Sequence, residues 1–137
     1  MQVAAQRGIL AFGQDSDMIK FGPKTQLTSI TNNRGPYYVR AAKAALDDKW
    51  KAEDTWDGLK EKMVVMAPYT NMPADVKALA EKTEAAIVGG TLHPFTCPVL
   101  GQDGKAVECK GGKTLDAGQI LGMNFYVKGV DDKIPGK

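Results

Sequence analysis

Four polar residues, Gln14, Asp15, Ser16 and Asp17, stand directly after a short apolar run, and two of them carry carboxylates. The run is Ile9, Leu10, Ala11 and Phe12, bounded by Gly8 and Gly13, and it reads as a strand buried on both faces. In open α/β sheets, ligands bind in the crevice outside the carboxyl ends of the strands, so acids that leave such a strand are placed to meet a polar ligand. Ionised Asp15 and Asp17 only accept hydrogen bonds and would suit hydroxyl or N–H groups, with Gln14 adjacent to them. The same Asp-Ser-Asp triplet also reads as a set of Asx-type turns with no ligand. The acid pair lies far from any His or Cys, so no metal site is expected there.

The remaining chemistry-bearing residues lie toward the other end. Gln102-Asp103-Gly104 suits a three-residue hairpin loop with Gly104 left-handed, and the register that follows pairs residues whose numbers sum to 206. That places Cys97 opposite Cys109, where cross-strand cysteines can meet the short Cβ separation of a disulfide in an oxidising compartment. Two free thiols are the equal alternative. Pro98 points to an edge strand. His93, the one histidine, sits in a Leu-His-Pro-Phe turn with no nucleophile elbow around it. Cys97 is four residues on, but Pro94 breaks any helix that would align the pair for catalysis. Gly111-Gly112-Lys113-Thr114 has the tail of a phosphate-binding loop without the earlier glycine or the preceding strand.

Behind these residues stands an alternation of elements. Val3 to Gln6, running into Arg7-Gly8, reads as the end of a helix with Gly at C′; a chain that begins inside a helix is expected to be a fragment. Leu27, Ser29 and Thr31 alternate with Thr28 and Ile30 in a second strand, broken by Asn32-Asn33-Arg34-Gly35. Pro36 opens a helix over 36–50 whose Val39, Ala42, Ala45, Leu46 and Trp50 form one buried stripe. Tyr37, Tyr38 and Trp50 read as packing residues, with ligand stacking as the alternative. Residues 54–69 turn short and β-like at Thr55-Trp56, and Met63 to Ala67 reads as another fully buried strand. Pro73 opens a helix to residue 88, with Val76, Leu79, Ala80, Thr83, Ala86 and Ile87 on one face and Gly89-Gly90 as its cap. Strand, helix, strand, helix predicts an α/β architecture, with 9–13 and 63–67 as buried strands of the parallel type.

Composition narrows the classes. The 137 residues suit one domain or a large piece of one, since a chain of about 150 residues buries roughly 68–70% of its unfolded surface. Eighteen basic against 16 acidic side chains leave a net charge of +2, and the lysines are interleaved with acids, so no nucleic-acid partner is expected. No apolar run approaches the ~20 residues of a membrane span. MQVAAQRGIL has neither the basic nor the apolar region of a secretory signal. No nucleophile and base stand together, so no enzyme is expected, and neither is a cofactor.

Several separated stretches, taken in order, carry a family likeness: FGQDSDMIKFGPKTQLTSI, GPYYVRAAKAALDDKWKAEDTWDGLK, MVVMAPYTNMPADVK, LHPFTCPV and MNFYVKGVDDKIP. Together they resemble the carboxyl-terminal portion of the basic membrane protein (Bmp/Med) family. These are the purine-nucleoside-type or nucleobase-type substrate-binding proteins of bacterial ABC importers. The likeness covers essentially the whole chain. It implies a periplasmic-binding-protein type I fold, two α/β lobes with parallel sheets and flanking helices, joined by a hinge that closes on the ligand. Residues 1–30 would supply a second-lobe strand and a hinge crossing, and residues 31–137 further hinge crossings and the remaining lobe elements.

The likeness also implies that Asp15 matches the family's position for binding the ligand's sugar or base. Asn32 falls where nucleoside-binding members often carry a lysine, Arg34 where close relatives often carry Trp, and Cys97 where Gly is frequent. These departures bear on the ligand rather than on the fold. The implied partners are a purine nucleoside or nucleobase and, in the full-length protein, the ABC permease subunits; the implied location is the periplasm, free or as an anchored lipoprotein. A cytoplasmic ligand-sensing domain of the same fold is the alternative function, because fold alone does not decide function.

Overall fold

The computed structural model describes residues 1–110 and 112–135. The chain divides into two compact units, Met1–Gly90 and Thr91–Lys137.

The first unit opens with helix α1 (Gln2–Gln6), which ends where Gly8 turns left-handed at φ +65° and the Gly8 and Ile9 amides donate back to Ala5 and Ala4. Gly at that position carries no Cβ penalty, so the chain can leave the helix sharply. Strand β1 (Ala11–Asp15) pairs in parallel with β2 (Gln26–Asn32), and β2 pairs with β3 (Val64–Met66) to give the order β1-β2-β3. Between β1 and β2 lies one 3₁₀ turn, Ile19–Phe21. Helices α2 (Gly35–Leu46) and α3 (Ala74–Val88) complete the unit.

Three expectations are corrected here. First, the strand begins at Ala11 and runs on through Asp15, and the apolar residues are not buried: Ile9, Leu10 and Phe12 are exposed, Phe12 at 68%. A strand is covered on both faces only when layers stack above and below it. In this unit the main contacts between elements run from strand to strand.

Second, β3 is antiparallel, with Asn32 opposite Val64 and Ile30 opposite Met66. The excursion through α2 starts and finishes at the same end of the sheet, where the Asn33 amide donates to the Met63 carbonyl at 2.8 Å, so the returning strand must run backward along β2. The sheet is therefore mixed.

Third, α2 stops at Leu46 rather than at Trp50, because Asp48 turns left-handed at φ +52° and the Lys49 amide closes on the Ala44 carbonyl. No residue of α2 or α3 is buried, and Leu46 is 86% exposed. The apolar stripes exist in sequence, but a stripe is buried only where another surface meets it. Thr55 and Trp56 belong to an irregular segment, not a strand.

Among the described residues, Ala67 is the only buried apolar side chain of the first unit, whereas Thr25, Gln26, Thr28 and Ser29 are all buried. Its best-covered part is polar.

The second unit is built on a hairpin of β4 (Val99–Leu100) and β5 (Ala106–Val107). Val99 faces Val107 and Leu100 faces Ala106, the register expected from the loop, and Gly104 is left-handed at φ +77°. The Gly104 amide donates to the Gly101 carbonyl and the Gly101 amide to that of Lys105. A short helix, α4 (Ala117–Leu121), follows; Asp116 accepts from the Gln119 amide while the Gln119 side chain accepts from the Asp116 amide, a reciprocal cap. Val99 and Leu115 are buried.

Candidate functional site

The carboxyl end of β1 carries the candidate site. Gln14 and Asp15 are its last two residues, paired with Ile30 and Thr31 of β2. Asp15 takes the left-handed conformation at φ +65°, a position that Asp tolerates better than most residues. Its Oδ1 accepts from Asn32 Nδ2 at 2.7 Å, so residues 17 apart meet at the adjoining ends of two parallel strands. Gln14 is exposed beside them.

Asp17 goes elsewhere. Its Oδ1 accepts from Gln26 Nε2 at 2.8 Å and from the Ile19 amide at 3.1 Å, so it holds the loop just before the 3₁₀ turn and ties it to the start of β2. The two acids therefore do not converge on one point: Asp15 joins Asn32, and Asp17 joins Gln26 and the Ile19 amide.

Sequence reasoning missed the residues under that loop. Gln26, 1% exposed, also accepts through Oε1 from the Ser29 hydroxyl at 2.8 Å, and Ser29 in turn accepts from the Met18 amide at 3.3 Å. Ser29 sits over Gly13, where a Cβ would collide with its hydroxyl oxygen; only glycine lets the strands approach so closely. On the other side of β2, Thr70 Oγ1 and Asn71 Nδ2 both donate to the Gln26 carbonyl at 2.7 Å, and Thr28 Oγ1 donates to Ala67. The one sequence signal was the cluster of polar residues Gln26, Thr28 and Ser29 inside a β-prone run, where buried hydroxyls and amides must find partners.

Asn32 also lines a groove of about 480 Å³ with Arg34, Tyr37, Tyr38, Trp56 and Met63. Tyr37 and Tyr38 meet edge to face at 5.7 Å between ring centroids, and Arg40 pairs with Asp57 at 3.5 Å across the neighbouring groove, which Trp50 lines.

In the second unit Cys97 and Cys109 are joined as a disulfide, with Cα atoms 6.4 Å apart, and Cys97 offers no thiolate to His93. His93 Nδ1 instead accepts from the Phe95 amide and shapes the turn. Of the Gly-Gly-Lys-Thr stretch, Gly111 lies outside the described residues. Lys113 accepts from the Cys97 amide through its carbonyl, and Thr114 bridges Thr96, so this stretch serves strand pairing. Among the described residues no group of three His, Cys, Asp or Glu side chains could hold a metal ion, and no helix is long and apolar enough to cross a membrane.

Comparison with known proteins agrees with the chain's own pattern. Residues 1–91 match the Bmp family, described as ABC transporter substrate-binding protein PnrA-like; the match ends within a residue of the first unit. A purine-binding protein of Brucella abortus (strain 2308) is 58% identical over 135 residues, 98% of this chain and 38% of that protein. The chain thus spans under two fifths of that relative's length. A crystal structure of a transcriptional activator of the comK gene from Bacillus halodurans superposes with a TM-score of 0.58 at 19% identity, over 67% of this chain and 33% of that one, a likeness of fold alone. By family match and by identity, the chain belongs to the Bmp family of PnrA-like ABC transporter substrate-binding proteins.

Proposed function

We propose that the protein carrying this chain captures a purine nucleoside or nucleobase outside the cytoplasm and delivers it to the permease of an ABC importer. Asp15 accepts hydrogen bonds from the ligand's hydroxyl or N–H groups. This reading includes the two-lobed arrangement of the periplasmic-binding-protein type I fold, with residues 1–30 as a strand and hinge crossing and the chain as a carboxyl-terminal portion. The purine is carried over from the name of the Brucella relative.

One observation carries the site: the exposed Asp15 at the carboxyl end of β1, its carboxylate steadied on one oxygen by Asn32. Asn32 then acts beside Asp15 as a neutral amide, and Gln14 is the adjacent polar contact. Asp17 contributes by holding the loop. Closing a second lobe over such a carboxylate excludes water and strengthens charge-assisted bonds to it.

Isothermal titration with adenosine, guanosine, inosine and the free bases tests this on the whole protein, wild type against Asp15→Ala. Truncating one partner of a hydrogen bond to a charged group costs roughly 1.5–3 kcal/mol, about ten- to a hundredfold in affinity. A wild type that binds no purine removes the ligand assignment, and an Asp15→Ala protein of unchanged affinity removes the role of Asp15.

A further inference from the structure

We infer that the buried Gln26 and Ser29, together with the exposed Asp17, form a positioning relay that sets the ligand-facing carboxylate of Asp15. The inference rests on the function proposed above for Asp15.

The relay is a continuous chain of hydrogen bonds through side chains to one backbone amide. Asp17 Oδ1 accepts from Gln26 Nε2, Gln26 Oε1 accepts from the Ser29 hydroxyl, and the Ser29 oxygen accepts from the Met18 amide. Each donor and acceptor is complementary, so the orientation of the Gln26 amide is determined by its neighbours. Gln26, Thr28 and Ser29 are the largest side chains of the described residues to be fully buried, with Ser29 at 0% exposure. Burying polar side chains in preference to apolar ones is unfavourable unless each is bonded, and among the described residues every buried side-chain nitrogen and oxygen has its partner.

Its location indicates what it serves. The segment from Ser16 to Met18 leaves β1 immediately after Asp15. On one side of Asp15 the backbone is held by the pairing of Gly13, Gln14 and Asp15 with β2; on the other, it is held two and three residues later by Gln26 and Ser29. Clamped at both ends, Asp15 keeps a left-handed backbone that a free Asp would rarely occupy. Gly13 admits Ser29 into the clamp because a side chain there would strike its hydroxyl. None of these groups needs to touch ligand; they act through the orientation of Asp15.

The test is a thermodynamic cycle on the whole protein, read by calorimetric titration with the purine that wild type binds. Gln26→Met keeps the volume and removes the amide; Ser29→Ala removes one oxygen and serves if Gln26→Met does not fold. Either should weaken binding about tenfold in the wild-type background and by less than about twofold when Asp15 is already Ala, because the relay has then lost its target. Thr28→Val is the control: it removes an equally buried hydroxyl bonded to Ala67 on the other side of β2, and should lower the melting temperature while leaving affinity unchanged. Equal losses in both backgrounds, or a loss from Thr28→Val as large as from Gln26→Met, would overturn the relay. An unaltered affinity in Gln26→Met and Ser29→Ala, with Asp15→Ala impaired, overturns the relay alone. A wild type that binds no purine, or an Asp15→Ala protein that binds normally, overturns the proposed function and this inference together.

Discussion

The two units hold their shape by different means. In the first, the best-covered residues are Gln26, Thr28 and Ser29, and hydrogen bonds from side chains to loops and strand ends hold β1, β2 and the segment after β3 together. In the second, Val99 and Leu115 are buried around a two-stranded hairpin whose flanks are joined by the Cys97–Cys109 disulfide. A covalent link between cysteines already in disulfide geometry stabilises a short hairpin by constraining the unfolded chain, with no demand on other side chains. A buried polar chain stabilises only when every partner is aligned, and so it also specifies where a loop must lie. The polar construction suits the region proposed to present the Asp15 carboxylate in one orientation.

The largest effect expected from this contrast is in the second unit. Replacing Cys97 and Cys109 with Ser should cost that unit about 3 kcal/mol, the loop-closure contribution for a link of this span. Hydrogen exchange should show the Val99 and Val107 amides losing protection while those of β2 keep theirs. Equal loosening of β2 would show that the two regions do not differ in this way.

Gly13→Ala comes next and strikes the first unit. The added methyl collides with the Ser29 hydroxyl, so the strands must part or Ser29 must turn away from Gln26 and Met18, at roughly 1–3 kcal/mol. Urea denaturation should show the loss, and the Cys97–Cys109 hairpin should be indifferent to it. A neutral Gly13→Ala would mean that the packing of Ser29 on β1 is loose and the polar interior less specific than its bonding suggests.

The smallest effect is in alkali. Burial, reinforced by the hydrogen bond Tyr69 donates to Glu84 at 3.0 Å, pushes the Tyr69 hydroxyl from 10.0 up to about 12. A group whose pKa is raised by folding contributes its stability in full below pH 10, and that contribution disappears as the pH rises toward about 12. The stability difference between wild type and Tyr69→Phe should accordingly be constant below pH 10 and shrink above it. A difference that persists unchanged to about pH 12 would place the Tyr69 contribution in packing rather than in its hydroxyl.

What could be read without coordinates was local. The β4–β5 register followed from a three-residue loop with Gly104 at its left-handed position, because strand side chains alternate with period two and a loop of known length leaves one pairing. Helix α3 was legible from Pro73 to Gly90, since caps and periodicity lie within a few residues of each other. The family likeness was legible for a related reason, as ordered motifs survive in the chain itself. Burial was not legible: the apolar run 9–12 and the stripe of α2 have the composition of covered surfaces, but coverage depends on what packs against them. Nor was the direction of β3, which depends on where a long excursion returns to the sheet. The different fates of Asp15 and Asp17 lay furthest out of reach. Two acids two residues apart look equivalent in sequence, and only the parallel pairing of β1 with β2 brings Asn32 to one and Gln26 to the other.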